Sequence, residues 1–299
     1  MLMSTHAHHH GELGSRTAHP GIPEPRRSQR VRFPGGNGHE LAGILDLPTA
    51  PGSGAPVVVF SHCFTCNKDL KAIVRLGRDL AARGVTVLRY DMTGLGNSDG
   101  DFSKTDFTTN LADLRAAVAY MLGAFGRVTG LLGHSFGGAA SLAYAGEIAD
   151  KGSPLGAVAS LAAPSDTQHL ANLLARRNPA IEGSGQGMVE IGGRPWLIRR
   201  QMLDDFRRHR LEDSIAKIAV PLMVLHSPVD ETLGFDHALR IMQLAGSARE
   251  NQIEPFPVSL VALDGADHLL AQNADDLSYV AGLLAAFFWR YRGNEQSHS

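Results

Sequence analysis

The chain has 299 residues, 43% of them apolar, and a formal net charge of −2. That is enough apolar material for one large core or two ordinary ones, and the near-neutral charge leaves no electrostatic footprint for nucleic acid or an acidic membrane surface. The longest apolar run near the C-terminus, AGLLAAFFW, is too short to cross a bilayer, and the N-terminal MLMSTHAHHHGELGSR lacks the apolar block of a signal peptide.

Taken in order, residues 1–28 are rich in His, Gly, Pro and Arg and show no periodicity. They read as a disordered tail, and His6, His8, His9 and His10 are set aside as part of it. RVRF and LAGILDL then suggest a hairpin around GGNGHE. VVVF at 57–60 reads as a buried strand, and DLKAIVRLGRDLAARG has helical period, closed by Gly84. The strand TVLRY, the helix NLADLRAAVAYML, the strand RVTGLLG, the helix GGAASLAYAGEIA and the strand LGAVASLA follow. Residues 165–218 break the rhythm with helical stretches around MVEIGGRPWLI, a small hairpin turning on Gly192-Gly193. Alternation resumes with PLMVLHS, FDHALRIMQLA, VSLVALD and ADDLSYVAGLLAAFFWRY.

Strands alternating with helices predict an α/β fold, a mostly parallel central sheet with helices on both faces. The core is expected over 29–164 and 219–293, with 165–218 as a cap insertion over the carboxyl edge of the sheet and 294–299 as a C-terminal tail. No internal repeat is visible.

Gly133-His134-Ser135-Phe136-Gly137 matches G-x-S-x-G, and so does Gly96-Asn97-Ser98-Asp99-Gly100. Context separates them. A nucleophile elbow needs a strand feeding a tight turn and a helix that starts at once, with flanking positions that carry almost no side chain. Ser135 has that setting; Ser98 lies in a loop, where glycine turns and local hydrogen bonding explain it. A serine hydroxyl needs a base to become nucleophilic, and imidazole serves near neutral pH. Chain order nucleophile, acid, histidine is met by Asp230 in LHSPVDETLG and His268 in VALDGADHLL, both just past strands. Asp166, Glu231 and Asp236 are alternative acids, while Asp264 and Asp267 read as turn residues.

Acyl transfer through Ser135 would build negative charge on oxygen, and paired backbone amides stabilise it. Phe136 supplies one, and the loop SHCFTCNKDL supplies the other through Phe64. Substrate-binding positions are expected at Phe64, His134, Trp196 and Phe206. Cys63 and Cys66 read as shaping the loop, as a redox-sensitive modulator of the oxyanion hole, or as a primary dithiol. No second CxxC exists to complete a zinc site, so no metal is expected. His62 is expected to anchor the loop.

HCFTCNKD, TGLGNSDGDF, GHSFGGAA, PVDET, GADHLL and GGRPWLIRRQMLDDF together resemble the serine α/β-hydrolase domain that some bacterial proteins fuse to an OsmC-like domain. The resemblance covers about residues 30 to 293. It implies an α/β-hydrolase fold, Ser135, Asp230 and His268 as a triad, and the Phe64 and Phe136 amides as oxyanion hole. The chain ends soon after its last helix, so the expectation is a hydrolase without the OsmC-like partner. The expected activity is that of a serine carboxylesterase acting on short to medium acyl or aryl esters, with a small-molecule ester as partner and no cofactor. Nucleic-acid and membrane partners are not expected. Thioesterase or peptidase chemistry on the same triad and a Cys63/Cys66 redox protein are the alternatives. For a peptidase, Glu182, Glu190, Asp204 and Asp205 would have to clamp an amine; they read as solvated cap surface. Two cysteines make no disulfide framework, so a cytoplasmic location is expected.

Overall fold

The computed structural model describes residues 27–50, 52, 54–149, 155–250 and 256–293. Residues 1–26 and 294–299, and with them most of the expected tails, lie outside the described residues. The first strand, β1 (Arg27–Pro34), starts two residues inside the expected N-terminal tail, where the Ser28 hydroxyl donates to Asp46.

Eight strands form one sheet in the order β1-β2-β4-β3-β5-β6-β9-β10, comprising β1, β2 (Glu40–Leu47), β3 (Val57–Ser61), β4 (Thr86–Tyr90), β5 (Gly130–His134), β6 (Ala157–Leu161), β9 (Leu222–His226) and β10 (Val258–Ala262). The β1–β2 and β2–β4 pairs are antiparallel, and the remaining pairs are parallel. The reason is legible residue by residue. Val57, Val59, Leu131, Val158 and Val224 face one core, and Val58, Phe60, Leu132, Ala159 and Leu225 face the other. Strands buried on both sides lose the polar alternation of a half-exposed sheet and become near-continuous apolar runs.

Helices α1 (Lys71–Ala82) and α9 (Ala274–Arg290) cover one face through Ile73, Leu76, Leu80, Val280, Leu284 and Phe288. On the other lie α2 (Phe107–Phe125), α3 (Phe136–Ile148) and α8 (Asp236–Glu250). Helix α2 extends beyond the expected 110–122 because Asp106 and Thr109 form a capping box and Gly126, at φ 69°, closes its far end.

Between β6 and β9 the chain forms α4 (Gln168–Arg177), α5 (Ala180–Gly183), a separate hairpin of β7 (Gln186–Ile191) and β8 (Arg194–Arg199), then α6 (Arg200–Arg208) and α7 (Leu211–Ile215). Gly192 and Gly193 make the hairpin turn, both at positive φ, as two-residue turns require.

The chain leaves β3 through α1 to β4 on one side of it, then returns through α2 to β5 on the other. Strand order therefore reverses between β3 and β5, and a crevice opens at their carboxyl ends. The loops that follow these two strands carry Cys63–Cys66 and Ser135. Among the described residues, no helix is long and apolar enough to cross a membrane.

Candidate active site

Ser135 sits between β5 and α3 at φ 52°, ψ −118°, a backbone region that ordinary side chains avoid. Its amide donates to the Leu161 carbonyl at 2.8 Å, and its own carbonyl accepts from Gly138 and Ala139. The turn is crowded enough to dictate its glycines. A Cβ on Gly133 would lie 2.2 Å from the Gly137 oxygen, and one on Gly137 would lie 2.3 Å from the Ser61 oxygen. The elbow therefore packs directly against the end of β3. Phe136 is the first residue of α3, so its amide belongs to the group that a helix start leaves without an intrahelical acceptor.

Ser98 behaves as the turn reading expects. Its hydroxyl donates to the Asp91 carbonyl at 2.7 Å and accepts from the Ala42 amide at 2.9 Å.

His268 Nδ1 lies 2.7 Å from Asp230 Oδ2. The other oxygen of Asp230 accepts from the amides of Thr232 at 2.8 Å and Leu233 at 2.9 Å. Burial pushes this carboxyl up, but the bonds from His268, Leu233 and Thr232 outweigh it and hold the group below its ordinary value. An ionised Asp230 makes His268 Nδ1 the protonated nitrogen, which leaves Nε2 with its lone pair. The alternative acids stand elsewhere: Asp166 accepts from the His169 amide at 2.7 Å, Asp236 opens α8, and Glu231 is exposed. Asp267 accepts from the amides of Leu269, Ala271 and Gln272 and so shapes the loop around His268.

Two buried imidazoles at strand ends tie down these loops. His134 Nε2 lies 2.8 Å from the His268 carbonyl, and His226 Nε2 lies 2.8 Å from the Leu233 carbonyl. A carbonyl only accepts, so each Nε2 carries the proton and donates. Burial, reinforced by the neighbouring His268 ring, lowers His134 to about 3. His62, also buried, does the same on the other side of the crevice. The Met92 amide donates to its Nε2 at 3.2 Å, and its Nδ1 donates to the Cys63 carbonyl at 2.8 Å.

Ser135 and His268 line one cavity of about 320 Å³ together with Cys63, Phe64, Thr65, Cys66 and Phe136. The cysteine sulfurs are joined as a disulfide. Much of the opposite wall is a feature sequence reading missed. Leu170, Leu173, Leu174 and Arg177 of α4 all border the cavity, at the i, i+3, i+4, i+7 spacing of a single helix face. Their spacing was a usable signal, but nothing local says which way α4 points.

Three expected substrate-binding residues are not on this wall. His134 is turned to the opposite side of its strand, toward Phe60, Leu270 and Leu277. Phe206 is fully buried behind the wall, its ring 6.1 Å from that of Phe64 and 5.4 Å from that of Phe136. Trp196 packs on Phe102 at 4.8 Å and borders a separate surface depression. Apolar burial, available to a ring in several directions, draws His134 and Phe206 into the core and leaves Trp196 partly buried against it. Three of the four acidic residues considered as an amine clamp are occupied elsewhere: Asp205 bonds Thr108, Glu182 pairs with Arg207, and Asp204 with Arg200; Glu190 is exposed on β7. Among the described residues no group of three His, Cys, Asp or Glu is placed to hold a metal ion.

A mostly parallel eight-stranded sheet with a strained serine turn after β5 and an Asp–His pair on the loops after β9 and β10 defines an α/β-hydrolase fold. A family model described as the alpha/beta hydrolase family matches residues 50–278, and the chain belongs to that family. Among solved structures it is similar to the esterase domain of a protein from Rhodothermus marinus, at 37% identity and a TM-score of 0.68, over 89% of this chain and all of that one. It shares its fold with Est1E from Butyrivibrio proteoclasticus solved with ferulic acid, at 21% identity and a TM-score of 0.70, covering 87% of this chain and 99% of that one. The Pyrococcus furiosus esterase Pf2001 has the same fold at 14% identity and a TM-score of 0.62, over 89% and 93% of the two chains. No curated protein matches the chain in sequence.

Proposed function

We propose that this hydrolase is a serine carboxylesterase in which Ser135 is the nucleophile, His268 the base and Asp230 the acid that orients it. The observation that carries the reading is the 2.7 Å His268–Asp230 bond, together with Ser135 and His268 opening onto one cavity. His268 Nε2 takes the Ser135 proton as Oγ attacks the ester carbonyl, and Asp230 stabilises the imidazolium that results. The tetrahedral oxyanion is received by the amides of Phe136 and Phe64. Collapse expels the alcohol, which takes its proton from His268. The same imidazole then activates water to release the acid from the acyl-enzyme.

The wall chemistry supports the substrate class. Phe64, Phe136, Leu170, Leu173, Leu174 and Leu233 give an apolar space of about 320 Å³, which suits short to medium acyl or aryl groups. The segment 165–218 acts as a cap, because α4 and the hairpin tip at Ile191–Gly192 close the side facing Ser135. The likeness to an esterase domain at 37% identity favours an ester over an amide. A cytoplasmic protein acting on a diffusible ester completes the reading.

The test is hydrolysis of p-nitrophenyl esters of graded acyl length. Wild type is expected to turn them over and Ser135→Ala to lose at least about 10³-fold in kcat. Equal rates in the two proteins would reject the mechanism.

A further inference from the structure

The disulfide lies in the wall of the cavity that holds Ser135. Cys63 and Cys66 close a ring only four residues long, and all four residues border the cavity that contains Ser135 and His268. The two residues differ in exposure: Cys63 is 4% exposed, while Cys66 is only partly buried. Inside the ring, Thr65 is held at φ 60°, a conformation that costs free energy for any residue with a branched side chain. Apart from the disulfide, the turn is held by a bond from the Cys66 amide to the Cys63 carbonyl at 3.1 Å and one from the Thr65 hydroxyl to the adjacent Phe64 carbonyl at 2.6 Å. The Cys63 carbonyl also accepts from His62, so its position survives opening of the ring.

We propose that Cys63–Cys66 is a redox modification site inside the catalytic cavity, opened by small soluble thiols that enter the cavity and attack Cys66. A thiolate attacks Cys66 Sγ, the sulfur–sulfur bond breaks, and Cys63 leaves as a thiolate that takes up a proton. A second thiol then displaces the first, so two thiols lose two electrons as one disulfide and the protein gains two cysteine thiols. Opening frees Thr65 to leave the left-handed region, and the Phe64–Thr65 backbone turns with it. The Phe64 ring stays seated against Phe102, Phe136 and Phe206, so the cavity wall is retained. What changes is the aim of the Phe64 amide. The consequence for rate rests on the esterase reading above; the exchange at Cys66 does not.

An amide that contacts only the transition-state oxyanion affects kcat rather than substrate binding. The intact chain is treated with dithiothreitol, its thiols are counted by alkylation and mass, and ester kinetics are followed before reduction, after it and after reoxidation with oxidised glutathione. Two thiols should appear, kcat should fall about tenfold or more while KM stays within about threefold, and reoxidation should restore the rate. Absence of new thiols, an unchanged kcat in protein carrying both, or a loss that reoxidation does not reverse each overturns the proposal. Separately, Cys63→Ser and Cys66→Ser are reacted with 5,5′-dithiobis(2-nitrobenzoic acid). Cys66 in the first variant should react about tenfold or more faster than Cys63 in the second. Equal or reversed rates overturn entry at Cys66. The thiol measurements repeated in Ser135→Ala do not read ester hydrolysis, so failure of the esterase assignment and failure of the redox site are told apart.

Discussion

Two loops flank Ser135, and they are fixed by different means. The loop carrying His268 is held by hydrogen bonds to two buried groups: the neutral His134 beneath it, which donates to the His268 carbonyl, and the ionised Asp230 beside it, which accepts from the His268 ring. The loop carrying Phe64 is closed by a covalent bond and pressed against the elbow at Gly137. In the proposed mechanism the difference follows from what each loop has to do. An imidazole that shuttles a proton must keep one tautomer and one orientation through a change of charge, which directional hydrogen bonds enforce. An oxyanion-hole amide undergoes no chemistry and needs only a fixed direction, which a crosslink supplies at the cost of sensitivity to reductant.

The comparison can be broken most severely at Asp230. Asp230→Asn keeps the shape but removes the carboxylate that fixes Nδ1–H, and kcat should fall about 10³- to 10⁴-fold with little change in the fold's circular dichroism. The next largest effect is expected at His134. His134→Phe leaves the His268 carbonyl without its donor, about 1 kcal/mol or a five- to tenfold loss in kcat, whereas His134→Gln, whose amide reaches the same point, should recover most of it. A structural defect alone would not be rescued by Gln.

The buried imidazoles also set an acid limit. Burial holds His134 at about 3, against 6.5 when unfolded, so between those values only the unfolded chain binds the proton. Its contribution is complete above pH 6.5 and is lost as pH falls toward 3, by about 1.4 kcal/mol per pH unit for each such proton. His62 and His237 are lowered for the same first reason. Tm should therefore decline steeply from pH 7 to pH 4, and His134→Gln should flatten that decline. The smallest effect belongs to the cavity wall. Leu173→Phe should reduce kcat/KM for hexanoate relative to acetate esters by a few-fold, with Ser135 labelling by a fluorophosphonate unchanged.

Much of the site was readable before any coordinates. Gly133 and Gly137 flank Ser135 because no side chain fits there, so small residues after an apolar strand announce the turn. Asp230 and His268 could be placed because both follow short apolar strands, and parallel strands deliver their ends to the same edge. His134 shows where reading stopped short. In β5 it shares parity with Leu132, which faces the α1/α9 side, so the period of two already pointed it away from the substrate. Trp196 and Phe206 were harder, since their direction depends on how 165–218 folds back on the sheet, a long-range matter that local pattern does not carry. The disulfide was not decidable from spacing alone; CxxC fits a bonded pair and two free thiols equally well.

Gly137 lies so close to the Ser61 and His62 carbonyls that not even a methyl group could intervene. The Ser135 turn and the loop after β3 thus have no slack between them and must shift as one piece. Alterations on α4 touch neither partner in that contact, so under the proposed esterase reading its inner face is the place to retune which esters are accepted while the reacting groups keep their alignment.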